Sequence, residues 1–392
     1  MLAVLGVFLF FLSNDFGLID IEKTAIITAL SVDIEEGEYS VNAQIAVPES
    51  SESSTENVKA QISGKGYTIG AAIKNLGDLS GWYPKLDFCN LIIIGKEVAE
   101  TGAIQVLDYF SKTLRIQDSA VVVQSENKAK EILSVSTPLD NISAFALQKA
   151  VLKNVGFNRD VAESNIKTFV EGYFSDGGSS IMPLVKIIKQ EDGENGAASS
   201  SGSSAQSGSK PSDGNKTSGT SLFNPSFTSL FYKGVKVGEL NEKQTLAFNM
   251  LTENFTLTTI DVGDADVESQ NVNYLLTVKD CNAKITVVAN AAALRAEFDV
   301  KLYCKISDMN AASSTNQYNN NDPLPQPVIE KAEKMITSEI ASLIDAEKQT
   351  GCDFFKIKEK LYRHNRDGYS LYKDNFISAF DYKINVKVEG QK

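Results

Sequence analysis

Residues 90–102 read Asn-Leu-Ile-Ile-Ile-Gly-Lys-Glu-Val-Ala-Glu-Thr-Gly. The run Leu91–Ile94 is short, wholly apolar and closed by Gly95. A strand with no polar alternate position is buried on both faces, so it belongs at the centre of a sheet covered by helices. Its surroundings agree. Residues 103–114 place Ile104, Leu107, Phe110 and Leu114 on one helical face, 120–124 reads as a second strand, and 128–133 as a short helix. Strands alternating with helices are most economically satisfied by a mixed sheet with helices packed on it.

Upstream, residues 25–33 and 39–47 read as two strands joined at Glu35-Glu36-Gly37, with 57–63 as a third. Residues 68–79 carry Ile69, Ala72, Ile73 and Leu76 at helical spacing. Downstream, helices are expected over 143–153 and 161–173, the latter with Asp160 as its N-cap, and 181–188 as an extended segment. Residues 191–221 differ in kind: 16 of 31 are Ser or Gly, with no aromatic or aliphatic β-branched side chain. Such a stretch buries too little apolar area to offset chain entropy and is expected to be disordered, its ends roughly 30 Å apart. It is either a hinge between domains or a loop inserted within one.

The second half begins with a strand over 230–237. Asn241-Glu242-Lys243-Gln244 then reads as a capping box opening a helix to Leu251. Strands are expected at 255–261, 273–279, 284–290 and 295–306, and a polar loop at 310–322. A long helix runs from Val328 to Gln349, with Gly351 at its end, and a short one over 353–363. Tyr382, Ile384, Val386 and Val388 alternate with polar residues as a last strand. The expected fold class is α+β: two to three domains of largely antiparallel β-sheets flanked by α-helices. The division is 1–14, an apolar signal or anchor segment; 18–190, an N-terminal α/β region with a subdomain break near 135; 191–221, the linker; and 222–392, a C-terminal α+β domain.

Met1–Leu12 has no charged or polar side chain. As a helix it would cross only about 18 Å of a hydrocarbon core roughly 30 Å thick. It reads as an export or anchor segment, the alternative being a buried N-terminal strand or helix. Formal net charge is −12, from 38 basic and 50 acidic residues, which argues against a general nucleic-acid binder.

Chemistry is sparse. One histidine, His364, in a polar basic turn, excludes any site that needs two. Asp261, Asp264, Asp266 and Glu268 lack calcium-loop spacing, and Gly64-Lys65-Gly66 lacks the remainder of a phosphate loop. Cys89, Cys281, Cys304 and Cys352 form no C-x-x-C pair; Cys281 and Cys304 fall on strands that could be neighbours, as a disulfide or as buried free thiols. No nucleophile, base and orienter assemble, so no catalytic, metal or cofactor-binding residue and no cofactor is expected. The residues describe a binding or structural module at a membrane surface.

The order of segments resembles the Ger(x)C family, the C subunits of nutrient germinant receptors of endospore formers. Ile21-Glu22-Lys23-Thr24-Ala25, with a strand ending in Asp33, is similar to the family's opening "EIEDLA…GID". Asn90 to Glu97 with Ala99 and Gly102, and Leu107-Asp108-Tyr109-Phe110 through Arg115 to Ala129-Lys130-Glu131-Ile132-Leu133, are similar to its next two segments. Phe231-Tyr232-Lys233-Gly234-Val235-Lys236-Val237-Gly238-Glu239-Leu240 with Gln244-Thr245 resembles "vFk..klvG.L…eT". Asp353 and Tyr369-Ser370-Leu371-Tyr372 correspond to a C-terminal "aD…W" stretch, with tyrosine in place of tryptophan. Within these, Gly234 and Gly238 are expected to set turns at strand ends.

The resemblance implies three α/β domains, no catalytic residues, a place on the outer face of the spore inner membrane, and multi-pass A and B subunits as partners. Family members usually carry a lipobox cysteine. Here that position is Asp15, which forms no thioether, so Met1–Leu12 takes the anchoring role. The alternatives are an unrelated extracellular solute-binding or adhesive module and, further off, a cell-surface hydrolase.

Overall fold

The structure is a computed structural model that describes residues 24–46, 60–112, 116–135, 137, 140, 142–157, 160–190, 220–253, 258–267, 270–311 and 323–390. Expectations for 1–14, Asp15, the Ser/Gly stretch up to 219 and most of the 310–322 loop lie outside these residues. In chain order the first part holds β1 (Thr24–Glu35), β2 (Glu38–Ile45), β3 (Gln61–Gly66), α1 (Ile69–Ser80), β4 (Tyr83–Lys85), β5 (Leu91–Ile94), α2 (Lys96–Lys112), β6 (Val121–Ser125), α3 (Ala129–Ser134), α4 (Ser143–Phe157), α5 (Ile166–Phe174), β7 (Ser179–Gln190), β8 (Thr220–Tyr232) and β9 (Val235–Leu240). The second holds α6 (Glu242–Thr252), β10 (Thr258–Val267), β11 (Gln270–Ala289), β12 (Leu294–Ala311), α7 (Gln326–Thr350), α8 (Ile357–His364), α9 (Arg366–Tyr372), α10 (Phe376–Ala379) and β13 (Phe380–Gly390).

The first sheet runs β3-β2-β1-β5-β6-β7-β8-β9, with β4 on the end of β1. Its centre is parallel and its two ends are antiparallel hairpins. The run at β5 explains the layering. Ile92 and Ile94 pack under α1, α2 and α5, while Leu91 and Ile93 pack under α3 and α4. Every position of that strand is core, so no polar alternate is tolerated.

Local fits fix the helices onto the sheet. A Cβ on Gly64 would fall 2.4 Å from the Ala72 carbonyl oxygen, and one on Gly66 2.7 Å from the Ala72 nitrogen. The Gly64-Lys65-Gly66 motif therefore lets α1 lie directly on β3. Asp33 ends the buried part of β1 and accepts hydrogen bonds from the Ala129 and Lys130 amides at 2.7 and 3.0 Å, satisfying the open end of α3. A Cβ on Gly95 would fall 2.1 Å from that Asp33 carboxylate, which is why glycine closes β5.

The second sheet runs β10-β11-β12-β13. A crossover through α7 to α10 brings β13 back parallel to β12. The apolar stripe of α7, with α6, packs against this sheet as the second core. The two strands expected at 273–279 and 284–290 are one, β11. A register shift between Val278 and Asp280, where Lys279 is the extra residue, interrupts its alternation and so divides its sequence pattern.

Three expectations need correction. The helix expected from Val161 begins at Ile166, capped by an Asn165–Thr168 box; Asp160 instead accepts from the Ser226 hydroxyl at 3.2 Å. The expected boundary at 221/222 falls inside β8, and 222–240 continues the first sheet. The ends of the Ser/Gly stretch are not far apart: Gln190 pairs with Thr220, so the stretch joins adjacent antiparallel strands. Composition there marks a connection between strands of one sheet, not a change of core.

Because Gln190 and Thr220 are register partners, replacing residues 191–219 by a four-residue Gly-containing turn should preserve the fold. Loop-closure entropy then favours the shortened chain by about 2 kcal/mol at most. Thermal melting should show Tm unchanged or a few degrees higher; a fall of several degrees would mean that the stretch packs on the protein.

Candidate functional site

The two sheets meet at one joint, built on the β8–β9 hairpin. Lys233 and Gly234 both take positive φ, 48° and 77°, which makes the tight turn whose twist suits a hairpin. The tip docks into α2. Gly102 interrupts that helix with φ 145°, and the freed Ala103 amide donates to the Gly234 carbonyl at 2.9 Å. A side chain on Gly234 would strike Ile104, its Cβ lying 2.6 Å from Ile104 Cγ2.

Successive residues of β8 face opposite cores, as the period of a strand requires. Phe231 belongs to the first core, edge-on to Phe169 at 5.1 Å between ring centres. Leu230 and Leu240 belong to the second. Gly238 is not at a turn, contrary to expectation. It lies within β9 opposite Leu230, and a Cβ there would sit 2.7 Å from Thr350 Cγ2 at the end of α7. Gly234 does hold a turn; Gly238 permits a close approach between the sheet and a helix of the other half.

The chain leaving α7 completes the joint. Gly351 turns it with φ 70°, and the Cys352 thiol donates to the Phe231 carbonyl at 3.2 Å. Asp353 accepts from the Ile357 and Lys358 amides at 2.6 and 3.0 Å, capping α8 from outside the helix. The backbone of Gly177, from the first half, comes so close that a Cβ would lie 2.9 Å from Asp353 Oδ2. Further polar links cross the joint: Thr228 to Thr245 at 3.0 Å between hydroxyls, Asn249 Nδ2 to the Val161 carbonyl at 3.0 Å, and the Tyr369 hydroxyl donating to Asp176. Hydrogen bonding to Asp176 holds the Tyr369 phenol up at about 12.

One group here escaped the sequence reading. Glu347 is fully buried on the apolar stripe of α7, in line with Ile336, Ile340 and Ile344. Its carboxyl faces that of Asp353, with Lys360 and the Phe355 amide acting only weakly in favour of its charged form. Burial first, then Asp353, push Glu347 well above the usual carboxylate range. Two facing carboxyls share a proton, and Glu347 carries it because Asp353 has the two amides. Lys360 stands nearby, held below its ordinary value by burial and donating to the Phe355 carbonyl at 2.6 Å. A glutamate at an apolar position of a stripe is the signal that would have found it. A cleft of about 420 Å³ opens beside these groups, lined from both halves by Glu163, Ser179, Phe248, Asp353 and Lys360 among others.

The other sequence candidates lie apart. His364 is exposed in the last turn of α8. Asp261, Asp264 and Asp266 are spread along β10, and Glu268 lies outside the described residues. All four cysteines are buried free thiols, pushed up to about 12 by burial. Cys281 pairs in register with Leu302 and Cys304 with Val278, so the two sit offset on neighbouring strands. Among the described residues no group of three or more His, Cys, Asp or Glu is placed to hold a metal ion.

Two family descriptions match the chain: "Spore germination protein N-terminal domain" over residues 18–187 and "Spore germination B3/ GerAC like, C-terminal" over 227–391. The solved structure titled "Crystal Structure of the GerBC protein" shares the fold, with TM-score 0.52 and 13% identity over 95% of this chain and 100% of that one. No curated protein matches by sequence. The fold is that of a multi-domain α+β spore-germination protein, and the chain belongs to the Ger(x)C family of germinant receptor C subunits. The joint lies where the second match begins.

Two outcomes test this geometry. Gly238→Ala should lower stability by about 1–3 kcal/mol through overpacking, and adding Thr350→Ser, which removes the opposing methyl, should restore most of it. Urea unfolding midpoints measure both; an unaffected single variant would show that the approach is not tight.

The second concerns pH. Glu347 binds its proton more tightly folded than unfolded, so its contribution is present below the ordinary value of 4.5 and is lost as pH rises towards the folded value. Glu347→Gln removes that loss. Its Tm should exceed the parent's at about pH 8, and the gap should close towards about pH 4. Parallel Tm curves for the two chains would show Glu347 ionised or solvated.

Proposed function

We propose that the chain acts as a non-enzymatic scaffold within the germinant receptor. It works with multi-pass A and B subunits on the outer face of the spore inner membrane and is held to the bilayer by Met1–Leu12. The observation that carries this reading is what the family-like residues do. Asp33, Gly95, Gly102, Gly234, Gly238 and Asp353 each fit one stretch of backbone against another. Residues selected for turnover or ligand capture would converge on a cavity. Gly102, Gly234, Gly238 and Asp353 gather where the two sheets pack, and Asp33 and Gly95 lock a helix and strand within the first sheet; a subunit whose product is a surface of fixed shape needs both. The four buried thiols, protonated at neutral pH, supply no nucleophile.

A strain lacking this chain should form normal dormant spores that respond poorly, or not at all, to one nutrient class. Restoring the gene with Gly238→Val should yield less assembled receptor without moving the nutrient concentration needed for response. Normal receptor abundance with a shifted threshold would contradict the scaffold role and assign ligand contact to this subunit.

A further inference from the structure

We propose that the open edge of β13 pairs with the same edge of a second copy of this chain, antiparallel about Ile384, so that the second sheet continues across a two-fold axis. A second copy is the occupant because the free part of this edge is symmetric about Ile384 and its charges are self-complementary in that register alone.

β13 ends the second sheet and runs beside β12 for eleven residue pairs without a register shift. Along a strand the N–H and C=O of one residue point to one side, and the next residue's point to the other. Two contacts show which residues point away from β12. The Val388 amide donates to the Glu333 carboxylate at 2.9 Å, and the Phe380 carbonyl accepts from Lys348 at 2.9 Å. The even-numbered residues therefore present their backbone to the open edge. Phe380 is fully engaged, since its amide donates to the Phe376 carbonyl. Tyr382, Ile384 and Val386 remain, with Ile384 midway between the two occupied ends. The Tyr382 amide meets the carboxylate of its neighbour Asp381 at 2.9 Å. Among the described residues nothing bonds to the outward groups of Ile384 and Val386.

Sheet edges are commonly blunted by a bulge, a proline or short length. β10, at the other end of this sheet, has a register shift between Val262 and Ala265 and a positive φ at Asp264. β13 has none of these and carries a pattern of charge instead.

Antiparallel pairing centred on Ile384 uses the free row and no more. Ile384 meets Ile384 of the second copy and Tyr382 meets Val386, each pair exchanging both N–H···O bonds. The side chains of Tyr382, Ile384 and Val386 are partly buried at the rim of the second core, and the added strand covers more of them. On the other face Asp381, Lys383, Asn385 and Lys387 are exposed. This register sets Asp381 opposite Lys387 of the second copy, twice by symmetry, and Lys383 opposite Asn385. Moving the partner by two residues fails in either direction. One way sets Lys383 opposite Lys387 and Asp381 opposite Glu389, and brings Tyr382 to the Val388 amide that Glu333 holds. The other sets Lys383 opposite Lys383 and brings Val386 to the occupied backbone of Phe380. A one-residue slip turns the apolar side chains to the wrong face.

The full chain is held in a nonionic detergent, which covers Met1–Leu12 in every variant alike, and its mass is followed by sedimentation velocity across a concentration series. A monomer–dimer equilibrium is expected. Lys387→Asp sets two acids opposite each other at both ends of the pairing and should raise the dimer dissociation constant about tenfold. Asp381→Lys combined with Lys387→Asp restores opposite charges and should recover most of the affinity, which a folding defect would not. The register is read by disulfide trapping. A chain with Lys383→Cys is mixed with a tagged chain with Asn385→Cys under mild oxidation; the native thiols, buried and pushed up to about 12, stay unreactive. The product joining 383 to 385 should exceed the half that random pairing gives. A chain that stays monomeric at every concentration overturns the proposal. So does a dimer indifferent to the charge variants, or one whose main crosslink joins two like positions, because either places the contact elsewhere or in another register.

Discussion

Side chains alternate along a strand, and at Leu230 and Phe231 that alternation joins two cores. Phe231 completes the aromatic contact with Phe169 beneath the first sheet, while Leu230 closes the core beneath α6 and α7. One strand cannot move without disturbing both. The β8–β9 hairpin is thus a shared wall, and the remaining contacts of the joint hold that wall in register. Its tip is pinned in the break of α2 by Gly102 and Gly234. Its flank is pressed to α7 at Gly238, and its backbone is bonded to Cys352. Small residues matter here because backbones approach closely, and no side chain fits between them.

The buried charges follow a related rule. Asp33 and Asp353 each sit at a helix start remote in sequence or outside the helix itself, and each takes two amide N–H groups. Burial raises both carboxyls, and the amides pull them back. For Glu347 burial and the facing Asp353 outweigh the weaker pull of Lys360 and the Phe355 amide, and its carboxyl stays well above the ordinary range. The joint therefore sets two facing carboxyls beside a half-buried Lys360, the more strongly raised one without the two amides that Asp353 holds, so that the pair is not an isolated buried ion.

Much of this was legible in the residues. The unbroken run Leu91–Ile94 announces a strand covered on both faces, the alternation of Tyr382 to Val388 announces the last strand, and Asn241 with Gln244 announces a capped helix; all three stand as read. What was not legible depends on contacts distant in sequence. Nothing near Gly238 signals Thr350, more than a hundred residues away. Nothing near Asp160 signals Ser226, which takes its carboxylate from the helix it was expected to cap. The Ser/Gly stretch reads as a boundary because its composition cannot fold, yet composition says nothing of whether the flanking strands pair. A bulge in β11 at Lys279 breaks the period that would have joined two apparent strands into one.

A shared wall makes the two halves a single cooperative unit. Scanning calorimetry of the full chain tests this most directly, by comparing the heat absorbed on unfolding with the van't Hoff enthalpy from the sharpness of the transition. The account predicts one transition with the two enthalpies equal. Two resolved transitions, or a calorimetric enthalpy well above the van't Hoff value, would show that the sheets unfold separately and that the hairpin does not bind them into one body.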